Sequence, residues 1–120
     1  MLKKIKTIKK PWGKELLFAL TDRYAGKILV LNKGHRLSLQ YHEKKDESLL
    51  LYAGAIKLTV NQGGRLVEKR IAANTVFHFP PGAVHRMEAL KNSVLIEVST
   101  PELNDVIRVQ DDYDREIKHG

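Results

Sequence analysis

Gln40, His42 and Glu47 stand in the stretch LSLQYHEKKDE and bring an amide, an imidazole and a carboxylate close together in the chain. If the residues before the charged turn are extended, successive side chains point to opposite faces. Gln40 and His42 then share one face, while Leu37, Leu39 and Tyr41 take the other. The turn EKKD is expected to reverse the chain so that Glu47 opens the next strand, beside His42 across a hairpin. A carboxylate directed into a small β domain is costly unless it is paired or bound to a cation. Farther along, FPPGAVHR sets a rigid turn, Pro80, Pro81 and Gly82, ahead of a strand that starts at His85. Two imidazoles, one carboxylate and one amide oxygen make a mixed nitrogen and oxygen site for a divalent metal. Zinc is the first expectation, and manganese, iron, cobalt and nickel are compatible; magnesium or calcium would recruit more oxygens.

Taken singly, each of these residues also fits a solvated strand edge or a satisfied polar side chain, and only their convergence points to a metal. His35 and His119 fall in no such spacing and read as ordinary polar residues. His78, between Phe77 and Phe79, reads as a satisfied strand histidine.

The elements that must position this site are short. ELLFAL, GKILVLN, RLSLQYH, SLLLYAG, AIKLTVN, RLVEKRI, TVFHF, SVLIEVS and DVIRV are apolar, β-branched runs bounded by turn residues. Gln62, Gly63 and Gly64 mark a hairpin, and no segment holds a 3.6-residue apolar period, so at most a short helical turn is expected around DDYDREIK. The chain is therefore expected to be all-β, an antiparallel sandwich or barrel. SLLLYAG and SVLIEVS are apolar on both faces, as strands are when covered by two layers or by a second subunit, and a homodimer is expected.

At 120 residues the chain is expected to form one domain, 1–120, able to bury a core unaided, with a basic, solvated segment at about 1–10. Cysteine is absent, which excludes disulfides, thiolate zinc sites and a cysteine nucleophile. No apolar run reads as a secretory signal or a membrane span, so the expected location is the cytoplasm, with no membrane partner. The net charge is +7, with Lys3, Lys4, Lys6, Lys9 and Lys10 crowded at the start. Without interleaved aromatics or a recognition helix this does not predict nucleic-acid binding, but it would draw a phosphorylated small molecule.

The spacings resemble the cupin superfamily. Its first motif is matched by Gly34, Gln40, His42, Glu47 and Gly54, and its second by Pro80, Gly82 and His85; Asn74 stands where the family often has glycine. Gln40, where most cupins have histidine, is similar to the phosphomannose isomerases, above all the cupin domain of type II mannose-6-phosphate isomerases fused to mannose-1-phosphate guanylyltransferases. KPWGKE, GHRLSLQYH, PPGAVHRMEA and IEVSTPELNDVIRVQDDYDR carry that resemblance along almost the whole chain. Departures are Asp114 between Tyr113 and Arg115, the EKKD turn, and the missing nucleotidyltransferase domain.

The resemblance implies a jelly-roll fold and a metal held by Gln40, His42, Glu47 and His85. It also implies an aldose–ketose phosphate isomerase acting through an enediolate, whose charge a bound cation would stabilise. For the sugar phosphate, Arg108 is the first expectation, then Lys44, Arg86 and Arg115. Arg86 follows a ligand on its strand and should face away unless the backbone bulges. No residue is assigned as general base; Asp112, His78 or a metal-bound hydroxide are the options. Two alternatives remain open: a non-catalytic module binding a sugar or sugar nucleotide, and an iron-dependent dioxygenase built on His42, His85 and Glu47, against which Gln40 argues.

Overall fold

A computed structural model describes residues 1–113 and 115. Among them are eleven strands: β1 (Lys6–Lys10), β2 (Gly13–Leu20), β3 (Ala25–Leu31), β4 (Leu39–Tyr41), β5 (Glu47–Ala53), β6 (Ala55–Gln62), β7 (Arg65–Ala72), β8 (Thr75–Phe79), β9 (His85–Ala89), β10 (Ser93–Ser99) and β11 (Ile107–Gln110). They form two antiparallel sheets, β1-β2-β3-β10-β5-β8 and β11-β4-β9-β6-β7. From β5 onward the chain crosses repeatedly between the sheets, giving the expected all-β sandwich. The short helical turn expected around DDYDREIK lies partly outside the described residues: Asp112 and Tyr113 form a turn, and Asp114 and residues 116–120, His119 among them, are not described.

Turn chemistry fixes the register. Gly63 and Gly64 both take positive φ (59° and 81°), the arrangement a two-residue hairpin needs to match the strand twist, and all eight residues of β6 pair with β7. Between β5 and β6 the chain leaves one sheet for the other at Gly54 alone. Its φ is 99°, and a Cβ there would run into Ser93 Oγ and the Asn92 carbonyl. Asn74 adopts φ 72°, tolerated by an asparagine more readily than by most residues.

Three expectations are corrected. First, Glu47 does not face His42 across a hairpin. β4 and β5 belong to different sheets, and Glu47 pairs with Phe79 and Ser99, so the EKKD turn carries the chain across the sandwich. Second, strict alternation fails before Gln40. Arg36 bridges Glu88 while Gln40 pairs with His85, so four steps on one side pass three on the other. This one-residue bulge turns Leu37 into the core with Trp12 and Met87 while leaving Gln40 and His42 inward as well. Third, the basic segment is not wholly a solvated tail: Lys6–Lys10 is an edge strand paired with β2, and a lysine-rich edge discourages pairing with other chains.

The core lies between the sheets. Leu29, Leu31, Leu49, Leu51 and Leu95 from the six-stranded sheet meet Ile56, Leu58, Met87 and Ala89 from the other, with Trp12 closing one side and Phe79 the other.

Candidate metal centre

His42, Glu47 and His85 reach one point from three segments. His85 is the first residue of β9, His42 directly follows β4, and Glu47 is the first residue of β5. The Pro80–Gly82 turn is tied to the first motif because the Gly82 amide donates to the His42 carbonyl at 2.7 Å. All three side chains are buried, and their ligating atoms lie within 4.8 Å of one another. The two imidazole Nε2 atoms each stand 3.4 Å from the same carboxylate oxygen, Glu47 Oε1. Neither Nε2 makes a hydrogen bond. Among the described residues this is the one cluster of three such ligands.

Backbone carbonyls settle how the rings present themselves. His42 Nδ1 faces the Asp105 carbonyl, and His85 Nδ1 faces the Ala83 carbonyl at 2.9 Å. A carbonyl only accepts, so each ring carries its proton on Nδ1 and turns a bare Nε2 lone pair towards Glu47, the orientation a metal-binding histidine takes. Two buried lone pairs and a carboxylate oxygen repel one another unless a cation lies between them. The spacing agrees, since ligand atoms about 2.0–2.1 Å from a tetrahedral zinc lie about 3.3 Å apart. The His85 ring is further held by stacking on Phe79, 3.8 Å between centroids. Gln40 sits opposite His85 in the β4–β9 register. Its Oε1 accepts from Ser38 Oγ at 2.9 Å and keeps a second lone pair.

These groups line a cavity of about 390 Å³ between the sheets, on the side where β1 and β11 form the sheet edges. Its charged lining is dense. Lys45 Nζ bridges Glu47 Oε2 (2.9 Å) and Glu97 Oε2 (3.1 Å), and all three side chains are buried. Beyond them Lys27 pairs with Glu15 at 3.2 Å, and Lys10 approaches the same carboxylate at 3.9 Å. Burial pushes the Glu47 carboxyl up, while the Lys45 ammonium, 2.9 Å from its second oxygen, pulls it down. Burial and the neighbouring Glu47 charge push Glu97 up, with Lys45 and Lys27 opposing. Burial lowers Lys45, but Glu97 and Glu47 outweigh it and leave its pKa raised.

The residues expected to meet a phosphate separate. Arg108 lines the cavity and pairs with Gln40 in register; Arg115 also lines it, bonded to Asp111 at 2.8 Å. Lys44 is exposed and lies outside the lining. Arg86 faces away from the cavity, with Nε on the Leu37 carbonyl at 2.9 Å and its other nitrogens towards Gln110 at 3.4 Å. Of the options for a base, His78 is exposed and paired with Asp46, and Asp112 is bound to Arg36; neither lines the cavity. His35 bonds the Tyr113 hydroxyl at 2.8 Å. Sequence reasoning missed Glu15, Lys27 and Glu97 and took Lys45 only as part of the charged EKKD turn. Their signal was a charge at an inward position of an otherwise apolar strand, in KELLFAL, GKILVL and SVLIEVS.

Asp105 organises the turn that delivers Lys45 and Glu47. Its carboxylate accepts from the amides of Glu43 (3.1 Å), Lys44 (2.7 Å) and Lys45 (2.9 Å) while its carbonyl orients His42. Slight burial raises its pKa, but the three amide bonds outweigh this and leave it lowered. A lowered carboxyl contributes stability that is present above its unfolded value, about 3.9, and lost as pH falls through the folded one. Chemical unfolding of Asp105→Asn should therefore show a lower midpoint than wild type at pH 7 and a difference that shrinks towards pH 3; a pH-independent difference would contradict the assignment.

A model of the family described as mannose-6-phosphate isomerase C-terminal matches residues 1–111. Mannose-1-phosphate guanylyltransferase ManC of Salmonella typhimurium is 32% identical over 111 residues, 88% of this chain, and mannose-1-phosphate guanylyltransferase of Escherichia coli K12 is 33% identical over 111 residues. The chain spans only 22% of the length of each. Among solved structures, KdgF from Halomonas sp. superposes with a TM-score of 0.68 at 19% identity, covering 82% of this chain and 88% of that one. Oxalate decarboxylase from Bacillus subtilis gives 0.71 at 16%, covering 88% and 30%. These two similarities concern the fold alone.

Proposed function

Because the chain belongs to the mannose-6-phosphate isomerase C-terminal family, we propose that it is a metal-dependent sugar-phosphate isomerase, interconverting mannose-6-phosphate and fructose-6-phosphate. The observation that carries this reading is the pair of bare Nε2 lone pairs directed at Glu47 in a cavity that also holds a second buried carboxylate, Glu97. Moving a hydrogen between adjacent carbons requires both a means of stabilising negative charge on oxygen and a group that carries the proton.

His42, Glu47 and His85 would hold the metal, with Gln40 as the neutral oxygen ligand; bound there, a divalent ion supplies Lewis-acid stabilisation of a developing oxyanion. The remaining work falls to side chains already in place. Glu97, one lysine ammonium away from Glu47, takes the proton from the carbon next to the carbonyl and returns it to the carbonyl carbon, while the proton of the hydroxyl on the first carbon passes to the former carbonyl oxygen. Lys45 fixes the orientation of Glu97 and balances its charge. The substrate phosphate is drawn to the cations at the cavity margin, Lys6, Lys10, Arg108 and Arg115, with a guanidinium best shaped to hold it.

A second reading is supported by the names of the relatives and by the chain's 22% share of their length: a non-catalytic cupin that holds a sugar or sugar nucleotide. Interconversion of the two hexose phosphates, followed with metal content measured on the same sample, separates the two. The isomerase reading expects turnover in both directions, lost on chelation and restored by adding a divalent ion back. Bound metal without turnover of either sugar phosphate would overturn it in favour of the binding module.

A further inference from the structure

We infer that the outer face of the six-stranded sheet is the contact surface of a symmetric homodimer. The register places Leu16, Ile28, Ile96, Leu50 and Val76 side by side in one row across five consecutive strands. Above it Val30 and Val94 are paired, and below it stands Val98, with the Phe18 ring lying over neighbouring Gly26. Tyr52 continues the face on β5. These are the residues that point away from the core: their strand neighbours Leu29, Leu49, Leu51 and Leu95 are buried between the sheets. The outward positions of β3, β10 and β5 carry no charged side chain, although 29% of the chain is charged. A sheet facing water alternates apolar with polar; a sheet apolar on both faces is covered on both.

The size of the face suits a second copy of this chain. Phe18, Tyr24, Tyr52, Val76 and Val98 are each 50% to 68% exposed. At about 150–250 Å² per large side chain, these five alone leave on the order of 600 Å² accessible, before the half-buried central row is counted. With that row the face exceeds the patch an ordinary monomer shows and approaches the roughly 800 Å² each partner contributes to a stable interface. Two molecules of net charge +7 repel at long range, so a self-contact must exclude like charge from its centre, and this face does. Lys9 and Lys14, opposite each other on β1 and β2, stand at one margin of the face, and Arg23, Asp46 and His78 stand at the rim. A twofold arrangement also leaves both cavities open, because each lies on the opposite side of its sheet.

Sedimentation equilibrium on the full chain from about 1 to 100 μM tests this, a range that a stable interface of this size should saturate. The expected mass is twice 13.7 kDa. Val98→Glu and Tyr52→Glu should each weaken the dimer at least about 100-fold, because twofold symmetry introduces each charge twice into an apolar contact. Leu66→Glu, 54% exposed on β7 of the other sheet, should leave it intact. All three sites are over half exposed, and circular dichroism checks that the variants fold. Because the chain has no cysteine, Tyr52→Cys and Val98→Cys can also be joined across the interface by a short bismaleimide, and Leu66→Cys should not be. A monomeric wild type, or a dimer broken by Leu66→Glu and not by the other two, would overturn the inference.

Discussion

Replacing His85 with alanine is expected to give a folded protein that no longer retains a divalent metal. The ring is fully buried, stacked on Phe79 and anchored through Nδ1, so its Nε2 has no alternative position; alanine removes one of three converging ligands and leaves a void. Loss of a large buried side chain costs about 2–5 kcal/mol, inside the 5–15 kcal/mol that holds a typical domain together. Even an outer hydrogen bond to a ligand is worth about 10–100-fold in metal affinity, so loss of the ligand itself should exceed 100-fold and empty the site on dialysis. Glu47→Gln gives the same test with volume preserved, since Lys45 keeps Glu97 as its partner. Elemental analysis after dialysis should find roughly one ion per wild-type chain and almost none in either variant. Chelation should lower the thermal midpoint of wild type and leave that of the variants unchanged. Metal retained at wild-type stoichiometry by both variants would place the binding site elsewhere.

The ligand set was readable in the sequence because its parts are local. Gln40 and His42 are two residues apart, the Pro80–Gly82 turn precedes His85 directly, and each interval is a property of a single segment. The meeting of those segments is not local. Nothing in EKKD distinguishes a tight hairpin from a crossing between sheets, since the difference lies in whether Glu47 pairs with β4 or, as it does, with β8 and β10. The bulge that brings Leu37 inward is equally hidden, because it depends on where Glu88 and His85 fall on a strand forty-odd residues later. Lys45 shows the same limit at a single side chain. In a polar turn it reads as solvated, and only the placement of Glu47 and Glu97 by two other strands makes its burial favourable. Glu97 was legible in principle. In SVLIEVS it breaks an apolar strand at a position sharing a face with Leu95, and a charge on that face needs a partner or a function.

Glu97→Gln is expected to keep the metal and the fold while lowering kcat by about 10²–10⁴, the usual contribution of a positioned acid or base, with KM changed little. Glutamine has nearly the same shape, and the lysines that flank Glu97 each retain another carboxylate: Glu47 for Lys45 and Glu15 for Lys27. The substitution therefore isolates proton transfer from packing and charge pairing. The sign of the stability change separates a functional group from a structural ion pair. A carboxyl whose folded pKa is raised binds its proton more tightly in the folded state, so the folded protein loses stability as pH rises from the unfolded value, about 4.3, through the folded one. Glutamine does not titrate, and the variant should match wild type at low pH and exceed it in stability near pH 7. Wild-type kcat should fall as pH drops through the raised carboxyl range, and incorporation of solvent deuterium into product should disappear with Glu97. A stable, active variant would remove Glu97 from the mechanism. An inactive one that is less stable than wild type at pH 7 would show that the buried pair with Lys45 holds the site together and that the proton is carried by another group.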